Sequence, residues 1–275
     1  MNQNDIYGQI KHKRSFLCVG LDVDLEKVPK HILLEDDPIF SFCKSIIDST
    51  SKYAIAYKPN IAFFETYGSK GWKSLEKVCR YLSDNYPNIF TIADAKRADI
   101  GNTAARYAKA FFENLSFDSL TLSPYMGRDS VEPFLNFENK HAIILALTSN
   151  KGADDFQLFS DDKITLFEKV IQSSRKWKNA ERIMYVVGAT KSKYLKKVRN
   201  IAPDSFLLIP GVGAQGGSLK DVCSIGMNDH CGLIVNSSRQ ILYASNGLDF
   251  DVSAGQEARK LQKIMEQELL NKAII

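Results

Sequence analysis

Ile89-Phe90-Thr91-Ile92-Ala93-Asp94-Ala95-Lys96-Arg97-Ala98-Asp99-Ile100-Gly101-Asn102-Thr103 is the stretch on which the fold turns. Residues 89–93 carry no charge and read as a buried strand; four charged residues then arrive within six positions. Side chains two apart on a strand point the same way, so Asp94 and Lys96 are expected to leave the strand end on one face. Gly101 and the Ala-rich run from Thr103 then start a helix. Taken alone, Asp-x-Lys at a strand end can be a solvated ion pair worth roughly 0–1 kcal/mol. Its meaning depends on the other strand ends, because parallel α/β barrels gather their chemistry at that face.

The same alternation runs outward to both ends of the chain. Short apolar runs at 16–21, 54–58, 89–93, 119–122, 142–147, 183–187, 206–209 and 232–235 read as strands buried on both faces. Amphipathic segments at 39–52, 71–85, 103–114, 130–137, 164–178, 191–199, 219–224 and 254–270 read as helices. No Pro-, Gly- or Ser-rich linker interrupts them. The pattern predicts an α/β protein, a (β/α)8 TIM barrel in a single domain over 1–275. An open doubly wound sheet is the alternative, since strand number does not prove closure. With 36 basic and 32 acidic residues the net charge is +4, too mild for a nucleic-acid partner. Five scattered cysteines without Cys-x-x-Cys suit free thiols in a reducing cytosol. The polar first residues and the lack of a membrane-length apolar run lead to the expectation of a soluble cytoplasmic protein with no membrane partner.

A barrel predicts polar groups just after the strands, and the chain supplies them. They are Asp22 after the first strand, Lys58-Pro59-Asn60 after the second, and Asp94 and Lys96 after the third. Thr148-Ser149-Asn150 follows the fifth, Pro210-Gly211-Val212-Gly213-Ala214-Gln215-Gly216-Gly217 the seventh, and Asn236-Ser237-Ser238-Arg239 the eighth. The glycine-rich run can turn backbone amides toward an anion, and Arg239 can add a bidentate guanidinium. Phosphate sites in barrels often lie after strands seven and eight. Lys58, Asp94, Lys96 and Asp99 combine two cations with two anions, each holding its neighbour in the charged form. That argues against a Schiff-base lysine, which needs a depressed pKa, and suits proton donation to a carbon gaining negative charge. The four histidines lie apart from this cluster and read as packing or surface residues.

Asp94-x-Lys96-x-x-Asp99-Ile100-x-x-x-Thr103, with Lys58, Pro210-Gly-Val-Gly, Gln215 and Arg239, resembles the signature of the orotidine 5′-phosphate decarboxylase family, in its longer bacterial branch. The resemblance spans Gly20-Leu21-Asp22 to Ser238-Arg239. It implies metal-free and cofactor-free decarboxylation of orotidine 5′-monophosphate to uridine 5′-monophosphate. By resemblance Lys96 protonates C6, Asp94 sits beside the substrate carboxylate, and Lys58 links the ribose hydroxyls to the charges. Asp22 accepts from the ribose, Ser149 contacts the pyrimidine and Pro210 lines the base pocket. Gln215 and Arg239, with amides near Ser238, hold the phosphate. Asp99, Ile100 and Thr103 reach into the neighbouring subunit's site, which implies a homodimer.

Two features depart from that pattern. Ala98 stands where this branch has glycine, and an acidic insertion at 153–163 reads as a surface excursion, with a lid near Ser149 as the alternative. Three other functions stay open. One is a magnesium-dependent sugar-phosphate barrel enzyme sharing Asp-x-Lys-x-x-Asp, the second a Schiff-base aldolase, the third a phosphate-ligand binding protein without turnover.

Overall fold

Eight parallel strands close into a barrel in sequence order: β1 (Leu17–Leu21), β2 (Ala54–Pro59), β3 (Phe90–Arg97), β4 (Ser119–Leu122), β5 (His141–Leu147), β6 (Ile183–Val187), β7 (Leu207–Pro210) and β8 (Leu233–Ser237). The computed structural model describes residues 1–161, 163–212 and 216–275. Closure decides for the TIM barrel over the open sheet. β3 continues past its expected end at 93, so Asp94 and Lys96 are themselves strand residues. The apolar run had marked only the part of the strand covered on both faces.

By contact density the chain forms two compact units, Met1–Ala95 with Leu115–Phe117 and Ser237–Ile275, and Lys96–Asn114 with Asp118–Asn236. In the first, β1 and β2 pair with Gly20 opposite Lys58 and Leu21 opposite Pro59. The helix Pro38–Thr50 starts as its sequence dictates, with Pro38 in the first turn and the Asp37 carboxylate accepting the Phe40 N–H at 3.1 Å. Asp37 also takes the Ser74 hydroxyl at 2.7 Å and Lys77 at 2.8 Å, which joins that helix to Gly68–Asn85. Gly71 permits a different close approach, to the short preceding helix Ile61–Glu65: a Cβ would lie 1.9 Å from the Phe64 carbonyl oxygen. Phe42 stacks on both Tyr243 (6.0 Å) and Phe250 (5.4 Å), binding the helix Phe250–Asn271 to this layer.

One helix of this unit, Gln3–Lys13, escaped the apolar periodicity because Ile6 and Ile10 are its only buried residues. Its legible signal is the reciprocal cap, in which Asp5 N–H donates to Asn2 and Asn2 N–H to Asp5. At its other end Lys13 donates to the carbonyls of Ser51 (2.8 Å) and Ala54 (2.7 Å), and burial pushes its pKa down to about 8.

In the second unit β4 to β8 pair in sequence, from Ser119 opposite His141 to Pro210 opposite Asn236, with a register shift between Leu145 and Leu147. The expected helix at 130–137 shrinks to a 3-10 turn, Arg128–Ser130, and one helical turn, Glu132–Leu135. The segment at 191–199 is a 3-10 stretch, Ala189–Tyr194, leading into Leu195–Ile201. Lys193, Lys196 and Lys197 are exposed there as expected of a solvated face. Arg199 at its end is not. Its guanidinium donates to the carbonyls of Gly226, Ala202, Pro203, Ser205 and Gly232, with distances of 2.7–3.2 Å, and burial pushes its pKa down to about 10.

Candidate active site

β2 delivers Lys58 and β3 delivers Asp94, and the two meet as a buried ion pair, Nζ to Oδ2 at 2.7 Å. The backbones are in place for it, because Asn60 and Asp94 form a parallel bridge three residues beyond the paired Tyr57 and Thr91. Lys58 is 4% exposed, and burial alone would strip its proton. The carboxylates of Asp94 and Asp22 and the hydrogen bond to Asp94 outweigh that, so its pKa stands above the ordinary lysine value. The ammonium is therefore charged at any physiological pH.

Asp22, just after β1, is half-buried, and its Oδ1 is buried with no hydrogen-bond partner. A buried carboxylate oxygen without a donor is costly, so the group is suited to accept from a ligand hydroxyl. Its turn is held by Tyr243, whose hydroxyl donates to the Asp22 carbonyl at 2.8 Å and accepts the Asp24 N–H at 2.9 Å. No sequence signal pointed to Tyr243, since the contact joins residues more than 200 positions apart. Ser238 and the exposed Arg239 follow β8 in the same unit. The helix they begin, Arg239–Leu242, is too short to offer much dipole, so any anion binding there rests on the guanidinium and nearby amides.

In the other unit Lys96 is exposed and its backbone is left-handed, φ 48°. Asp99 accepts from the Ile100 N–H at 2.8 Å, and Ile100 and Thr103 are exposed at the start of the helix Gly101–Lys109. Pro210 is half-buried at the end of β7. Beyond it the glycine-rich loop is pinched shut at its base: Val212 bridges Gly217, and Gly217 N–H donates to Gly211 O at 3.2 Å. Only glycine fits at 217, where a Cβ would lie 2.3 Å from that of Ala189. Gln215 lies outside the described residues.

Ser149, half-buried after β5, is braced from the insertion read as a surface excursion. Gln157 accepts the Thr148 N–H at 2.7 Å and donates to the Thr148 hydroxyl at 2.9 Å. Thr190 donates to the Ser149 carbonyl at 3.2 Å, and Gly188 admits the Ser149 backbone so closely that a Cβ would lie 2.7 Å from it. Lys191 pairs with Asp154 at 2.7 Å. The described part of the insertion is thus a buttress as well as a surface feature. Gln157→Ala is expected to raise KM several-fold, about one kcal/mol of lost positioning, while a thermal melt moves by less than about 3 °C. An unchanged KM in steady-state kinetics would show that the brace does not reach the ligand.

All five cysteines are thiols. Among the described residues no helix is long and apolar enough to cross a membrane, and no three His, Cys, Asp or Glu residues cluster as a metal site.

Fold and strand-end groups together define a (β/α)8 barrel of the enzyme type, with ionised side chains on the faces where such barrels do chemistry. The profile of the Orotidine 5'-phosphate decarboxylase / HUMPS family matches residues 15–249. An orotidine 5'-phosphate decarboxylase of Flavobacterium johnsoniae is 60% identical over 267 residues, covering 97% of this chain and 98% of that protein. One from Bacteroides fragilis is 55% identical over 276 residues, all of both chains. The structure of Leishmania donovani OMP decarboxylase superposes with a TM-score of 0.81 at 35% identity, over 96% of this chain and 99% of that one. The chain belongs to the orotidine 5'-phosphate decarboxylase / HUMPS family.

Proposed function

We propose that the chain decarboxylates orotidine 5′-monophosphate to uridine 5′-monophosphate and carbon dioxide, the last step of UMP synthesis, as a single-domain cytoplasmic enzyme acting without metal or cofactor. The observation that carries this reading is the buried Lys58–Asp94 pair with the unsatisfied Asp22 oxygen, in a chain 55–60% identical to named decarboxylases. The C6–carboxylate bond breaks, carbon dioxide leaves, and the electron pair left on C6 takes a proton from the Lys96 ammonium. Asp94 holds Lys58 charged and disfavours the bound carboxylate until it departs. Lys58 and Asp22 engage the ribose hydroxyls, Ser149 the pyrimidine edge, and Pro210 lines the base. Gln215, Arg239 and amides near Ser238 hold the phosphate, whose binding energy is spent on fixing the ring in the charged site. Exposure of Ile100 and Thr103 beside Asp99 supports the reading that these three complete the neighbouring site of a homodimer.

The test is the ultraviolet absorbance of orotidine 5′-monophosphate mixed with purified protein in EDTA. Loss of the orotate band at an undiminished rate supports the proposal. Activity that appears only when magnesium is restored would point to the sugar-phosphate branch of the family instead.

A further inference from the structure

We infer that Thr121 is a positioning residue for decarboxylation, its hydroxyl fixing the backbone from which Lys96 presents its amine; this rests on the reading of Lys96 as the proton donor. Seven non-glycine residues among those described have positive φ: Arg14, Lys96, Ser116, Asn139, Asn179, Cys231 and Ala273. Of these, Lys96 alone lies within a named strand; the rest sit in turns, helix ends or loops. A left-handed residue in a strand brings its Cβ against the following carbonyl and turns its N–H out of the ladder, so something must compensate.

Thr121 supplies the compensation. It sits in β4, 1% exposed, and its Oγ1 accepts the Lys96 N–H at 2.9 Å, where a regular ladder would offer a carbonyl. The ladder resumes one residue on, with Ser123 N–H donating to Arg97 O at 3.0 Å. The left-handed turn thus falls on Lys96, the residue proposed to touch the reacting carbon. The direction in which that N–H is tied sets the peptide plane, and the plane together with φ 48° sets the direction of the Cα–Cβ bond. A proton donor has to be held within a fraction of an ångström of its productive position, and a misplacement of about 1 Å can cost roughly a hundredfold in rate. A buried hydroxyl in the run Ser119-Leu-Thr-Leu122 is not needed for packing, since valine has the same shape and at least the same strand preference.

The experiment compares Thr121→Val, Thr121→Ser and Lys96→Ala in full-length protein, reading kcat and KM for orotidine 5′-monophosphate, with circular dichroism melts for folding. Thr121→Val should lower kcat about tenfold or more with KM changed less than about threefold, because ribose and phosphate contacts are untouched. Thr121→Ser, which keeps the acceptor, should hold kcat within about threefold of wild type. If Thr121→Val turns over like wild type while Lys96→Ala is inactive, the positioning inference falls and the proton-donor reading stands. Full activity in Lys96→Ala would overturn the proton-donor reading and this inference with it. Equal damage by valine and serine, or failure of both to fold, would assign Thr121 to the fold alone.

Discussion

Lys96→Ala should lose about a thousandfold or more in kcat on orotidine 5′-monophosphate, because proton donation and electrostatic stabilisation at C6 vanish together. Asp99→Ala should also be severely impaired, and the two defective proteins should rescue each other when mixed. Random reassortment puts about half the subunits in mixed dimers, each with one intact site, so activity should recover to about a quarter of wild type. The geometry behind this expectation is local: Asp99 caps the Ile100 N–H, and Ile100 and Thr103 are exposed beside it. The check is a timed absorbance assay on the mixture, with a tagged subunit to show that exchange has occurred. Confirmed exchange without recovery would place Asp99 in its own subunit's site.

Arg199→Met should have the largest effect on stability. The guanidinium is the shared donor for five backbone carbonyls between residues 202 and 232, and the nearby Asp204 carboxylate only partly offsets its burial. Leaving those oxygens with lost partners costs about 3 kcal/mol or more, roughly a 10 °C fall in melting temperature for a chain of this size. Arg199→Lys should recover little of it, since an ammonium is a point charge and cannot fork across diverging carbonyls. A calorimetric melt within about 2 °C of wild type would show that water replaces the guanidinium.

Arg199 also marks where sequence reading stops. It ends a lysine-rich segment that reads as a solvated face, and Lys193, Lys196 and Lys197 meet that expectation. Nothing in the local pattern distinguishes the basic residue whose partners lie up to thirty-three positions away. The barrel itself was legible because strands buried on both faces need uninterrupted apolar runs, and those runs print directly in the sequence. β3 was read short for the same reason: once a strand carries charge toward a site, the apolar signal ends before the strand does. The Lys58–Asp94 contact follows from strand ends being brought to one face. The supports of the site, Tyr243 on the Asp22 turn, Gln157 on Thr148 and Thr121 on Lys96, are single side-chain hydrogen bonds made after folding. No periodicity or spacing encodes such bonds. The described part of the insertion is the surface feature that its acidic Asp154 and Asp155 announce, and that composition is silent about Gln157.

The unit that holds Asp22, Lys58 and Asp94 is assembled from both ends of the chain. Phe42 stacks on Phe250, Ser15 lies against Met265, and Gln262 reaches the carbonyls of Lys13 and Arg14. During synthesis residues 1–95 therefore leave the ribosome without the partners that residues 237–275 supply. At about 5–20 residues per second the closing helix follows roughly ten seconds or more later. In that interval the ring of Phe42 lacks both of its stacking partners, Tyr243 and Phe250. Emergence of the helix Phe250–Asn271, rather than of the charged residues, is then the event that completes the packing of this unit.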